Sequence, residues 1–277
     1  MAFLFVDRIT EIVPGKAARG CFTVPKDAPD LSPCLAAEAV GQLAAWVAMA
    51  KMEFRSRPVA GVTSEAKING RAAPGAVLDL EVALESCDTD AVLYDGQARI
   101  GGLPIVELIQ SVGPMLPMED FDDPDAVRER FQLLCGAEAL PKGFSGDASL
   151  DPHIILTERD PGKRLRAQIC VPRSAPFFTD HFPRKPVLPA TLLLDAQIEL
   201  AVGLAAEAVD PAVRMLLRPT RVSNLKLRSF IPPGEALGIV VEVLAASRAS
   251  AEIALTAEVG GQRVSTARLE TGLWETS

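Results

Sequence analysis

The chain repeats itself, and one copy has lost a piece. Pro14-Gly15-Lys16 returns as Pro161-Gly162-Lys163, and Ala28-Pro29 returns as Ala175-Pro176, both at a shift of 147 residues. Downstream the shift has grown. Leu35 to Glu38 returns as Leu192 to Asp195 at 157, while Pro74-Gly75 and Gly101-Gly102 return as Pro233-Gly234 and Gly260-Gly261 at 159. The jump falls between Pro29 and Leu35, so about ten residues carried by the second half are missing from the first. A repeat of this kind means that one supersecondary unit is used twice. Whatever the extra residues do, the first half cannot do it alone.

The pattern inside each copy is strand, strand, buried helix, then a run of strands. Residues 3 to 13 alternate as a strand and Pro14-Gly15 ends it; a second strand covers about 17 to 24. Ser32 is placed to cap a helix, with Pro33 at its first position, and the helix runs to about Met52. It is apolar nearly all round, which marks a helix buried on every side. From about residue 61 four strand-like runs follow, punctuated by Ala73-Pro74-Gly75, Cys87 to Asp90 and Gly101-Gly102. After Pro114 the texture turns acidic and turn-rich. We therefore divide the chain into 1–118, a surface linker at 119–149 holding one amphipathic helix near 126–134, and 150–277. A length of 277 residues accommodates two such units.

Several function classes drop out. A net charge of −8 argues against nucleic-acid binding. The apolar helix near 190–209 carries Asp195, Gln197, Glu199 and Glu207, so no membrane span is expected there. The opening Met1 to Val6 reaches Asp7-Arg8 at once, without a leader pattern, and a cytoplasmic location is the expectation. The five cysteines lack metal spacing and are expected to be reduced thiols. No glycine-rich phosphate loop, Ser–His–Asp order or paired metal-ligand motif occurs, so no metal and no nucleotide cofactor is implied.

The chemistry concentrates in Asp180-His181-Phe182-Pro183-Arg184-Lys185-Pro186-Val187-Leu188-Pro189, which leads into Ala190-Thr191-Leu192-Leu193-Leu194-Asp195. Its prolines stiffen the backbone around one of only two histidines. A histidine in a rigid loop together with a carboxylate on an apolar helix suits general acid–base work. His153, the other histidine, aligns with Val6 across the repeat and is expected to be structural.

The run His-Phe-Pro-x-x-Pro-Val-x-Pro, followed by a small residue and an acid, resembles the bacterial 3-hydroxyacyl-thioester dehydratases. Phe5-Val6-Asp7-Arg8-Ile9 to Pro14-Gly15-Lys16 resembles that family's opening strand. The resemblance implies an α+β hot-dog fold, a long helix wrapped by an antiparallel sheet. With the internal repeat it implies two hot dogs in tandem, forming a pseudo-dimer within one chain. In that family the histidine of one subunit meets the acid on the other's helix. His181 is then expected to face Glu38, and Asp195 to face the place where the first half has lost its loop, giving one competent site per chain.

On this resemblance His181 is the base that takes the C2 proton, with its ring oriented by the backbone carbonyl of Val187. Glu38 is the acid for the departing 3-hydroxyl, lying among Ala36, Ala37, Ala39 and Val40, where desolvation favours the neutral carboxyl. The alternative for Glu38 is a structural ion pair with a base such as Lys67. Gln42 matches the family's glutamine one turn on, Asp195 is the fallback acid, and Glu199 departs from the glutamine expected after it. Ala190 stands where the family has glycine; its N–H still polarises the thioester carbonyl from a helix start, an interaction worth ~10²–10³ in rate. Arg184 and Lys185 are candidates for the phosphopantetheine phosphate or an acidic carrier. The activity implied is reversible dehydration of a 3-hydroxyacyl thioester on acyl carrier protein or CoA, the phosphopantetheine arriving with the substrate. A hot-dog thioesterase and a non-catalytic partner of a lipid or polyketide assembly are the alternatives. The chain is expected to be a monomer (a pseudo-dimer) or a homodimer.

Overall fold

A computed structural model describes residues 3–136, 150 and 154–274. The first half places β1 (Arg8–Val13) and β2 (Ala17–Thr23) before helix α1 (Pro33–Lys51). The short β3 (Ser56–Pro58) then precedes β4 (Val62–Ile68), β5 (Val77–Cys87), β6 (Ala91–Ile100) and β7 (Leu103–Pro117). Helix α2 (Pro124–Cys135) follows. The second half runs β8 (Ile154–Asp160), β9 (Arg164–Cys170), α3 (Ala190–Ala205), β10 (Leu217–Leu227), β11 (Ala236–Ala246), β12 (Ala251–Val259) and β13 (Gln262–Leu273).

One antiparallel sheet carries all of these strands. Its order is β1-β2-β5-β6-β7-β4-β10-β13-β12-β11-β9-β8, with β3 pairing β7 off the main path. The order reads the same from both ends when each strand is replaced by its repeat partner. β4 and β10 form the seam, with Val222 opposite Ala66 and Leu225 opposite Thr63. The glycine marks of the repeat are turn positions that need a left-handed backbone: Gly15 and Gly162 sit at φ 73° and 69°, Gly75 and Gly234 at 81° and 82°.

Both central helices are core elements. The Ser32 hydroxyl accepts the Leu35 amide at 3.3 Å, capping α1, and Ala36, Ala39, Val40, Leu43 and Val47 are buried along it. By length and composition α1 could cross a bilayer, but 67% of it is buried inside this protein. Along α3 the buried residues include Leu192, Leu193, Ala196, Ala201 and Leu204. Residues 24–32 join β2 to α1, whereas residues 171–189 join β9 to α3. The ten-residue difference is the His181 loop.

Three readings are corrected. The opening strand begins at Arg8 rather than at residue 3, because the Phe3 and Phe5 amides are taken by side chains, those of Asp180 at 3.2 Å and Gln42 at 2.9 Å. A backbone bonded to side chains has no ladder to join. α3 ends at Ala205, earlier than 209. Residues 118–135 also do more than cover the surface. Phe121 and Val127 are buried, and Phe131 packs on Trp46 and Phe54 with ring centres 6.1 and 5.3 Å away. The loop read at Pro141 to Asp147 and the structural role given to His153 lie outside the described residues.

Candidate active site

A cavity of about 360 Å³ opens between the two helices, within the size range of small-molecule sites. His181, Glu38, Thr191 and Ala190 all line it. The walls are otherwise mostly apolar, including Ala37, Val62, Leu108 and Leu193.

The His181 loop is held by its own backbone. The His181 amide donates to the Phe177 carbonyl at 3.0 Å, the Val187 amide to the His181 carbonyl at 3.1 Å, and the Leu188 amide to Ile231 at 2.8 Å. Nδ1 of His181 lies 3.2 Å from the Val187 carbonyl oxygen. A carbonyl only accepts, so Nδ1 carries the proton and Nε2 keeps its lone pair. Phe3 meets the imidazole edge-on at 5.6 Å and Phe182 stacks on it at 4.2 Å. Burial pushes the His181 pKa below its ordinary value; Glu38 and the Val187 carbonyl pull it up, and the Arg57 cation pushes it down.

Glu38 is gripped at both oxygens. Oε1 accepts from Gln42 Nε2 at 2.9 Å, and Oε2 accepts from the Thr191 hydroxyl at 2.9 Å. Gln42 is itself fixed, since its Oε1 accepts the Phe5 amide at 2.9 Å and its Nε2 reaches the Phe3 carbonyl at 3.1 Å. The bond to Thr191 ties α1 to the first turn of α3. Lys67 pairs along the β4–β10 seam opposite Arg221 and does not line the cavity.

The repeat has a mirror of this contact. Cys34 stands where Thr191 stands, and Asp195 stands where Glu38 stands, both at the shift of 157. Cys34 hydrogen-bonds Asp195, and burial, with that carboxylate beside it, pushes the thiol pKa far up. Cys34 lines the cavity, but neither Asp195 nor Glu199 does. The structure thus brings His181 and Glu38 to one cavity and leaves the fallback acid outside it.

The remaining expectations are placed as follows. Ala190 is the first residue of α3, which has no side-chain cap, and its amide has no acceptor within the helix. Arg184 is engaged with residues 119–123: it pairs with Asp123 at 2.9 Å, donates to the Glu119 carbonyl at 3.1 Å, and its amide reaches Phe121 at 2.9 Å. Lys185 sits over the Phe121 and Phe230 rings at 5.1 and 4.7 Å. Both cations therefore brace the loop as well as charging its surface. Among the described residues no cluster of three His, Cys, Asp or Glu side chains is arranged to hold a metal.

Arg57 is a charged cavity residue that escaped the sequence reading. It lies on β3, with its guanidinium 3.9 Å from the centre of the Phe182 ring. Burial lowers its pKa to about 10, against the attraction of Asp122 and Glu38, and its buried Nε has no hydrogen-bond partner. Ser56-Arg57-Pro58 carries no motif, and only the pairing of Ser56, Arg57 and Pro58 with β7 brings this side chain to the site.

Comparison with known proteins follows the same line. A FabA-like domain model matches residues 153–268, the part that holds the His181 loop. The 3-hydroxyacyl-(acyl-carrier-protein) dehydratase FabZ of Sorangium cellulosum is 34% identical over 122 residues, covering 38% of this chain and 78% of that protein. In fold, the dehydratase domain of PpsC from Mycobacterium tuberculosis, solved with C12:1-CoA, matches with a TM-score of 0.55 at 16% identity, over 96% of this chain and 98% of that one. The 12:0-ACP thioesterase from Umbellularia californica matches with a TM-score of 0.54 at 13% identity, over 93% and 94%. The chain belongs to the FabZ dehydratase family, a family of hydro-lyases, and its large antiparallel sheet with few helices is that of hot-dog dehydratase and thioesterase domains.

Proposed function

We propose that this chain is a double hot dog, its halves 1–118 and 150–277 joined by 119–149, that interconverts a 3-hydroxyacyl thioester and the trans-2-enoyl thioester plus water at one site between the halves. The observation that carries this reading is the shared cavity: His181 from the second half and Glu38 from the first line it together, and Thr191 hydrogen-bonds Glu38 across the junction. Nε2 of His181 takes the C2 proton. Glu38, in its protonated form, delivers a proton to the 3-hydroxyl, which leaves as water while the C2–C3 double bond forms. The Thr191 hydroxyl can donate to the carboxylate or accept from the carboxylic acid, so it serves both states of Glu38. The Ala190 amide, at the positive end of α3, steadies the charge developing on the thioester oxygen. Each acid–base partner contributes about 10²–10⁴-fold.

The substrate we infer is carried on acyl carrier protein or CoA, and its phosphopantetheine comes with it; the chain's own residues supply acid, base and oxyanion donor without a further cofactor. We place this covalent pseudo-dimer in the cytoplasm, and the short connection between β2 and α1, which carries no counterpart of the His181 loop, supports one working site. The test is to give the protein a short trans-2-enoyl thioester and a saturated acyl thioester, following conjugated absorbance and free thiol. Loss of the conjugated absorbance without thiol release is expected. Thiol release from the saturated thioester would instead support the thioesterase, and binding with neither reaction a non-catalytic partner.

A further inference from the structure

We infer that Thr63, Tyr94 and Ser111 form a polar subsite in the cavity for an oxygen-bearing group, hydroxyl or oxo, on the acyl chain of the substrate. The inference rests on the dehydratase reading and narrows its substrate class to oxygenated acyl chains.

The three residues stand in a row across three neighbouring strands. Thr63 of β4 is the register partner of Ser111 of β7, and Ser111 is the register partner of Tyr94 of β6. All three line the cavity that holds His181 and Glu38. Thr63 Oγ1 and Ser111 Oγ are 3.2 Å apart, and the Tyr94 phenol is hydrogen-bonded to Ser111. Burial, with Glu38 nearby, pushes the phenol up to about 12, so it remains a neutral donor in the working range.

Two arguments give the row a ligand. The first is proton accounting. A linear chain of three hydroxyls uses two of its three protons internally, which leaves one donor and spare lone pairs. The leftover proton faces an otherwise apolar cavity, where an unmade hydrogen bond costs free energy and a plain alkyl chain supplies no acceptor. The second is the repeat. The counterpart row in the second half is Val222, Leu269 and Ile253, joined by the same register pairs on β10, β13 and β12. All three are aliphatic and buried, at 2%, 0% and 0% exposure. The same scaffold therefore builds this row from hydrocarbon in the second half, and from hydroxyls in the half that carries Glu38.

The row is also within reach of a bound chain. A Cβ built on Gly41 would lie 3.5 Å from the Tyr94 oxygen, and Gly41 is three residues on from Glu38, about 5 Å along α1. With the 3-hydroxyl at Glu38, the hydroxyl row meets the acyl chain a few carbons further along.

The experiment compares kcat/KM for 3-hydroxydecanoyl pantetheine with analogues bearing a second hydroxyl or an oxo group at successive carbons from C5 outward. At one position the wild type is expected to favour the oxygenated chain by at least about tenfold, since a site built to bond a hydroxyl rejects the chain lacking it. Tyr94→Phe, Ser111→Ala and Thr63→Val, the last copying Val222, should bring that ratio towards one; thermal unfolding checks that each variant folds. A wild type indifferent to oxygenation at every carbon, or preferring the plain chain throughout, overturns the subsite. No turnover of any analogue sinks the dehydratase reading instead. Calorimetry with decanoyl pantetheine, with and without the distal oxygen, then still decides: tighter binding of the oxygenated chain by wild type and not by Tyr94→Phe supports the subsite, and equal binding by wild type refutes it.

Discussion

His181 acts as a base only while its imidazole is neutral, and its neighbours pull in both directions. Burial and Arg57 lower its pKa, while Glu38 and the Val187 carbonyl raise it, leaving it below the ordinary 6.5. A base must be deprotonated, so the acidic limb of kcat/KM is expected below that value. Arg57→Gln removes one of the lowering influences, so the limb should move to higher pH; a limb that stays or moves to lower pH contradicts the assignment. His181 and Val187 were legible in the sequence because a motif specifies their types and spacing, and Glu38 and Gln42 because the repeat and the family resemblance lead to them. Arg57 was not, because pairing of a three-residue strand with β7, and no pattern along the chain, brings it to Phe182. The Thr191–Glu38 contact has its mirror in Cys34–Asp195, and threonine and cysteine hide that equivalence unless the shift of 157 is followed to them.

The precision of this site depends on how closely α1 lies on the sheet. A Cβ on Gly96 of β6 would come within 2.5 Å of Val40 Cγ1, 2.9 Å of Val82 Cγ1 and 3.0 Å of the Glu81 carbonyl oxygen. Val40 is two residues from Glu38 on α1. Gly96→Ala should therefore cost about 1–3 kcal/mol in urea unfolding through overpacking, and a loss under about 0.5 kcal/mol would mean that the helix has slack. The elements themselves were largely readable, because Pro-Gly and Gly-Gly pairs punctuate them and Ser32-Pro33 opens α1. The errors fall where side chains replace the ladder. Phe3 to Asp7 alternate like a strand, but Asp180 and Gln42 take the Phe3 and Phe5 amides, and nothing local announces a partner so far away in sequence.

For the whole molecule, the proposal is that the repeat does what a dimer interface does between separate subunits, with the paired β4 and β10 as its seam. Two halves with one loop between them imply one site. A non-reactive substrate analogue should saturate at one equivalent per chain in calorimetry, and two equivalents of similar affinity would show that the Asp195 side also binds. The lesion in the first half was visible as a change of shift, and the pairing of halves that the family resemblance implies pointed to Glu38 rather than to the acid nearest His181 in sequence. The most direct test of this pairing is the rate of hydration of a short trans-2-enoyl thioester by Glu38→Gln and Asp195→Asn beside wild type and His181→Ala. Loss of about 10²-fold or more in His181→Ala and Glu38→Gln, with Asp195→Asn close to wild type, is the predicted result. Activity that survives in Glu38→Gln and is lost in Asp195→Asn would contradict the cross-half site.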